Sequence, residues 1–168
     1  MTAILATRGN NFQPRLVRAL RDPVTQKITD LAPKKLPTPQ AGKAEDWDRI
    51  VDGMLAVMQG GTASRAAAGA PYTIAGKTGT AQVFSVAQNA RYNEAAISER
   101  LRDHAWFVAF APVESPKIAL AVIVENGRSG SGTAAPIART IMDAYLLRKF
   151  PAPTPADAAA TAITDGEE

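Results

Sequence analysis

The chain has 168 residues, 46% hydrophobic and 21% charged, which is enough for one globular domain with a real core. It carries 19 Lys and Arg against 16 Asp and Glu, a single histidine and no cysteine, so disulfide frameworks and thiolate metal sites are excluded. The basic residues are scattered, with Lys34-Lys35 and Arg148-Lys149 the only adjacent pairs, which suits a solvated mixed surface better than a nucleic-acid footprint.

Residues 1–8 read as the end of a helix, stopped by Gly9-Asn10-Asn11. Residues 12–20 read as an extended piece with Pro14 at its edge. Residues 22–44 are polar and rich in proline, the composition of a surface loop. Asp46 is placed to cap a helix whose apolar stripe is Trp47, Ile50, Met54, Val57 and Met58, ended by Gly60-Gly61. That stripe reads as core packing, not as a cofactor box. A small-residue link then leads into Tyr72-Thr73-Ile74-Ala75-Gly76, which has strand character.

Residues 85–103 are polar and irregular, with a short helical patch near 95–101. Two apolar runs, 105–111 and 118–125, read as strands joined by a connection closed by Pro112 and Pro116. Their near-continuous apolar character predicts burial on both faces and helices over the sheet. Gly127, Gly130 and Gly132 predict a flexible loop. Residues 133–150 predict a helix with Ile137, Ile141, Tyr145 and Leu146 on one stripe. Residues 151–168 hold Asp157, Asp165, Glu167 and Glu168, three prolines and no Lys or Arg, which predicts a disordered acidic tail. Residues 1–5 lack the basic region of a signal peptide, and the longest apolar run, 118–124, is far short of the roughly 20 residues that span a bilayer.

Lys77-Thr78-Gly79-Thr80, at the end of the strand-like run from Tyr72, carries most of the chemistry. One ammonium and two hydroxyls around a residue without a side chain make a donor set for a carboxylate. Lys-Thr-Gly is also one of three elements of serine acyl-transfer enzymes that act on β-lactams, beside Ser-x-x-Lys and Ser-Asp-Asn. His104 has no Ser-His-Asp partners in view and reads as a structural or surface residue. The loop from Gly127 to Thr133 lacks the Gly-Lys-(Ser/Thr) ending of a phosphate loop.

The stretch Ala75-Gly76-Lys77-Thr78-Gly79-Thr80-Ala81-Gln82 resembles the third strand of class B penicillin-binding proteins. Glu99-Arg100-Leu101-Arg102-Asp103-His104, Trp106-Phe107-Val108-Ala109-Phe110-Ala111-Pro112 and Val124-Glu125-Asn126-Gly127 resemble their elongation-type members. The resemblance covers about residues 1–148 and implies an α+β fold, an antiparallel sheet covered by helices. It implies that 1–150 are the C-terminal portion of a transpeptidase domain. The implied activity is that of a penicillin-binding peptidoglycan D,D-transpeptidase working in wall elongation and cell shape, without metal or cofactor.

Site roles follow from the same resemblance. Lys77, Thr78, Gly79 and Thr80 would bind the carboxylate of substrate or β-lactam, and the Thr80 N–H would be one oxyanion-hole donor. The implied partners are the peptidoglycan stem peptide, β-lactam antibiotics and a membrane glycosyltransferase of the elongation complex, at the periplasmic face of the bacterial inner membrane, with no nucleic acid. None of Ser64, Ser85, Ser98, Ser115, Ser129 or Ser131 is followed three residues later by Lys, and none starts a Ser-x-Asn triplet. The nucleophile is therefore expected upstream of Met1, and the chain alone is expected to be inactive. The alternative is a stand-alone binding module, derived from such a domain, that has lost catalysis.

Overall fold

A computed structural model describes residues 1–39, 43–83 and 98–150. The centre is a three-stranded antiparallel sheet in the order β5 (Ala75–Ala81), β6 (His104–Ala111), β7 (Ile118–Val124). The register pairs Thr78 with Phe107 and Phe107 with Val122, so side chains at these positions share one face.

The helices lie on opposite faces of this sheet. On one side, α4 (Ala135–Leu147) and the turn Gly130–Ala134 pack Ala134, Ala135, Ala138 and Met142 against Ala105, Phe107 and Ala109. On the other, α1 (Thr2–Ala6) and α2 (Ala44–Gln59) bring Ala6, Val51 and Met54 onto Ala75 and Phe110. Phe107, Phe110 and Met142 are fully buried; each stabilises the fold by about 1.5–3 kcal/mol by burial alone. The short α3 (Ser64–Ala67) links α2 to β5.

Several elements differ from their sequence expectations. Residues 22–44 are not only a loop. They contain β3 (Ile28–Asp30), paired with β2 (Ala19–Arg21), and β4 (Lys35–Leu36), paired with β1 (Asn11–Phe12). The turn of this ribbon forms because the Asp22 carboxylate accepts the N–H groups of Val24 and Thr25 at 2.9 and 2.7 Å. The Thr25 backbone foremost, then the Thr25 hydroxyl and the Val24 backbone, hold the Asp22 carboxyl below its ordinary range. Almost every ribbon residue is exposed, so no apolar alternation marks the strands.

Helix α2 starts at Ala44, and Asp46 sits inside its first turn, where its carboxylate accepts the Lys43 N–H at 2.8 Å. Its buried positions are Val51, Met54 and Met58, while Ile50 is exposed. On α4 three of the four residues of the expected stripe are turned outward, and only Leu146 packs against the core. Ile137, Ile141 and Tyr145 are exposed and the alanines face the sheet, because small residues let the helix backbone approach closely. Strand β6 is largely buried, but β7 alternates half-buried and exposed residues, so only one of its faces is well covered. Strand β5 begins at Ala75 and not at Tyr72, and it carries the Lys-Thr-Gly-Thr tetrapeptide within its length.

The connection between β6 and β7 is closed by a Lys117 N–H to Ala111 carbonyl bond of 2.9 Å, with a cis Ala111–Pro112 peptide. Of the expected helical patch, Glu99–Leu101 is a single 3-10 turn. Residues 84–97, and the tail expected at 151–168, lie outside the described residues. No helix among the described residues is long and apolar enough to cross a membrane.

Candidate functional site

Strand β5 is an edge of the sheet among the described residues, and its four tetrapeptide residues are split between the two faces. Thr78 and Thr80 pair with Phe107 and Ala105 and lie on the α4 face. Lys77 and Gly79 pair with Val108 and Trp106 and lie on the α2 face. Lys77 and Thr80 are exposed, Thr78 and Gly79 half-buried. The structure therefore brings all four onto one open edge, where unpaired backbone groups face outward.

The Lys77 ammonium donates to the Thr78 carbonyl at 2.7 Å, which uses one of its three donors. Its side chain also borders an open hollow of about 460 Å³ shared with Leu5, Met54, Val57 and Val108. The Thr78 hydroxyl lies 3.0 Å from the hydroxyl of Thr62, in the link between α2 and α3. That contact fixes the Thr78 rotamer and makes a two-hydroxyl group at the edge.

Gly130 sits directly on the strand. A Cβ there would be 2.5 Å from the Trp106 carbonyl oxygen, 2.6 Å from the Gly79 carbonyl oxygen and 3.0 Å from the Gly79 nitrogen. Only a residue without a side chain allows this approach. The segment around it was expected to be flexible but is a hydrogen-bonded turn. The Ser129 hydroxyl accepts the Gly132 N–H at 3.0 Å and lies 3.2 Å from the Ser131 hydroxyl. The Thr133 hydroxyl donates to the Gly127 carbonyl at 2.7 Å.

A second network braces the approach to β5. The Arg139 Nε donates to Asp143 at 2.9 Å, and its Nη1 donates to the carbonyls of Ala66 and Ala68 at 2.9 and 3.0 Å. The Tyr72 hydroxyl donates to the same carboxylate, and the Arg139 guanidinium lies 5.7 Å from the Tyr72 ring centre. Burial, then the bond to Asp143, pushes the Tyr72 phenol well above its ordinary value. For Asp143, burial acts upward, but the Tyr72 and Arg139 bonds outweigh it and hold the carboxyl below its ordinary range. Helix α4 is thereby tied to the segment that delivers the tetrapeptide. Two residues before β5, the Thr73 hydroxyl donates to Glu114 at 2.6 Å and accepts the Val113 N–H at 3.0 Å. The Thr73 bond is the main reason that the Glu114 carboxyl is held below its ordinary range.

His104 pairs with Ala81 in the sheet, and its Nδ1 accepts the Asn126 N–H at 2.9 Å. That ring nitrogen anchors a turn, so the structure agrees with a structural reading. Thr62 and the Tyr72–Arg139–Asp143 network are not singled out by the sequence, and Gly130 reads there only as a loop glycine. Thr62 lies in a featureless small-residue link, and the network joins residues 71 positions apart. The set can bind an anion along an open strand edge: one ammonium and a row of hydroxyls, held by a glycine contact and a braced helix.

The sequence pattern of the penicillin binding protein transpeptidase domain matches residues 1–143. The peptidoglycan D,D-transpeptidase MrdA of Haemophilus influenzae is 41% identical over 152 residues, 89% of this chain and 23% of that protein. The crystal structure of Pseudomonas aeruginosa PBP2 in complex with WCK 5153 matches with a TM-score of 0.65 and 40% identity, over 87% of this chain and 29% of that one. A ceftriaxone acyl-enzyme complex of penicillin-binding protein A from M. tuberculosis matches with a TM-score of 0.67 and 28% identity, over 86% and 30%. The chain spans about a fifth of the length of the curated relatives it matches.

Proposed function

Since this chain belongs to the penicillin-binding protein transpeptidase family, we propose that it forms the Lys-Thr-Gly wall of the active cleft of an elongation-type peptidoglycan D,D-transpeptidase. The observation that carries this reading is the open edge of β5, which presents Lys77, Thr78, Gly79 and Thr80 together, with Gly130 seated against the strand.

The stem peptide docks along that edge as an added strand, so backbone bonds give affinity and the side chains give selectivity. Its terminal carboxylate, or that of a β-lactam, is held by the Lys77 ammonium and the Thr78 and Thr80 hydroxyls. Two ammonium donors remain for it beyond the bond to the Thr78 carbonyl. Gly79 leaves room for the ligand to approach the backbone. As negative charge develops on the scissile carbonyl oxygen, the Thr80 N–H stabilises it. Losing one such donor costs about 2.7–4 kcal/mol of transition-state stabilisation.

The attacking hydroxyl comes from outside these 168 residues, since no serine here has a lysine three positions on. Alone, the chain has a carboxylate clamp and no nucleophile, and it forms no acyl-enzyme. In the full-length protein the cleft faces the periplasm, and a membrane glycosyltransferase of the elongation machinery supplies the glycan strands to be cross-linked.

Lys77→Ala in the full-length protein tests this. A hydrogen bond to a charged group is worth about 1.5–3 kcal/mol, so acylation by a fluorescent penicillin slows about tenfold to a hundredfold. Acylation at the wild-type rate removes the clamp role of Lys77 and, with it, the reading of β5 as the cleft wall.

A further inference from the structure

Beside the tetrapeptide, on the α4 face, lies an open cavity of about 450 Å³ lined by Arg65, Ala66, Ala68, Ser131, Gly132, Pro136 and Arg139. That volume is within the range of small-ligand sites. Its two walls are continuous in the chain with the two segments that touch the tetrapeptide. Arg65 lies three residues beyond Thr62, whose hydroxyl meets that of Thr78. Ser131 follows Gly130, which rests on Gly79. The cavity is therefore next to the carboxylate clamp without including it.

The two guanidiniums differ in availability. Arg139 is committed to Asp143 and to the carbonyls of Ala66 and Ala68, so it shapes the wall and its charge is neutralised. Arg65 is exposed and, among the described residues, unpaired. On the other wall the Ser131 hydroxyl is held near Ser129 by the turn. An exposed planar guanidinium and a hydroxyl lining the same small open cavity match a carboxylate.

We propose that this cavity is a second carboxylate subsite, in which Arg65 and Ser131 bind an acidic side chain of the peptide docked along β5. The proposal rests on the reading of β5 as the transpeptidase cleft wall. It makes Arg65 a selectivity residue for dicarboxylic stem peptides, distinct from the terminal-carboxylate clamp of Lys77, Thr78 and Thr80.

The test uses the full-length protein and two stem-peptide donors that differ in one group, a side-chain carboxylate left free or converted to its amide. The wild-type protein prefers the free acid by about tenfold in kcat/KM, the lower end of what a charge-assisted bond supplies. Arg65→Ala brings that ratio close to one, and Arg65→Lys, which keeps the charge without the planar fork, gives an intermediate ratio. A wild-type protein with no preference, or an Arg65→Ala variant that keeps it, overturns the subsite. Acylation of the wild-type protein by a penicillin separates the two levels. If it occurs while the ratio does not respond to Arg65, only the subsite fails. If it does not occur, the cleft reading fails and the subsite falls with it.

Discussion

Replacing Gly130 with alanine is a small change that the structure makes severe. The added Cβ would stand 2.5 Å from the Trp106 carbonyl oxygen and 2.6 Å from that of Gly79, where ordinary contact begins at 3.4 Å. The turn must therefore withdraw from β5 by about 0.9 Å, because both obstacles are sheet backbone and cannot rotate away. Overpacking of this kind costs about 1–3 kcal/mol of stability. The catalytic cost is larger in proportion, since a shift of about 1 Å in a reacting geometry is worth about a hundredfold. In the full-length protein, Gly130→Ala is expected to slow acylation by a fluorescent penicillin by about ten- to a hundredfold, with a lowered melting temperature. Gly53→Ala is the control. That glycine lies in α2 with nothing within 4 Å of an added Cβ, and the change stabilises the helix by about 0.5–1 kcal/mol. A Gly130→Ala protein that acylates as fast as the Gly53→Ala control refutes the claim that close seating of the turn on β5 shapes the site.

Thr62→Val removes the hydroxyl beside Thr78 at nearly constant volume; acylation should slow a few-fold, and Thr62→Ser should recover it, as stopped-flow labelling would show. The Tyr72–Arg139–Asp143 network makes stability depend on pH in two windows. Because the Asp143 carboxyl is held below its ordinary 3.8, its contribution is complete above that value and is lost as pH falls through the folded value. Because the Tyr72 phenol is raised above 10.0, its contribution is complete below that pH and is lost as pH rises toward the folded value. Thermal melting against pH should show both losses, and Asp143→Asn should weaken both. His104→Gln should lower the melting temperature through loss of the Asn126 anchor without changing the shape of the pH–rate profile for acylation. The 168-residue chain by itself should take up no label from a fluorescent penicillin on a denaturing gel, and a stable adduct would reveal a nucleophile among its serines.

Strong periodic segments were legible in the sequence, and surfaces were not. The runs that became β6 and β7 stood out because Phe107, Val108, Phe110, Val122 and Val124 cluster with turn residues on either side. The tetrapeptide was legible as chemistry, and the resemblance of 75–82 to a family strand placed it inside β5; composition alone ends the strand at Gly76, because Thr80 and Ala81 carry little strand character without the pairing to β6. Helix α4 was found with the wrong face inward. Amphipathic reading selects the bulkiest apolar stripe, Ile137, Ile141, Tyr145 and Leu146, whereas the core takes Ala135, Ala138 and Met142, with only Leu146 of that stripe packed against it. The β1–β4 ribbon was missed because strand pairing without burial leaves no hydrophobic period. Thr62 and Gly130 acquire meaning only from what folding brings against them.

The role proposed for β5 is to hold the carboxylate. A crystal structure of the full-length protein acylated by a penicillin measures this directly. The ligand carboxylate is expected within hydrogen-bond distance of the Thr78 and Thr80 hydroxyls and near the Lys77 ammonium, with the ester carbonyl oxygen on the Thr80 N–H. An adduct whose carboxylate and carbonyl are both held by other elements, leaving the β5 edge bare, would contradict it.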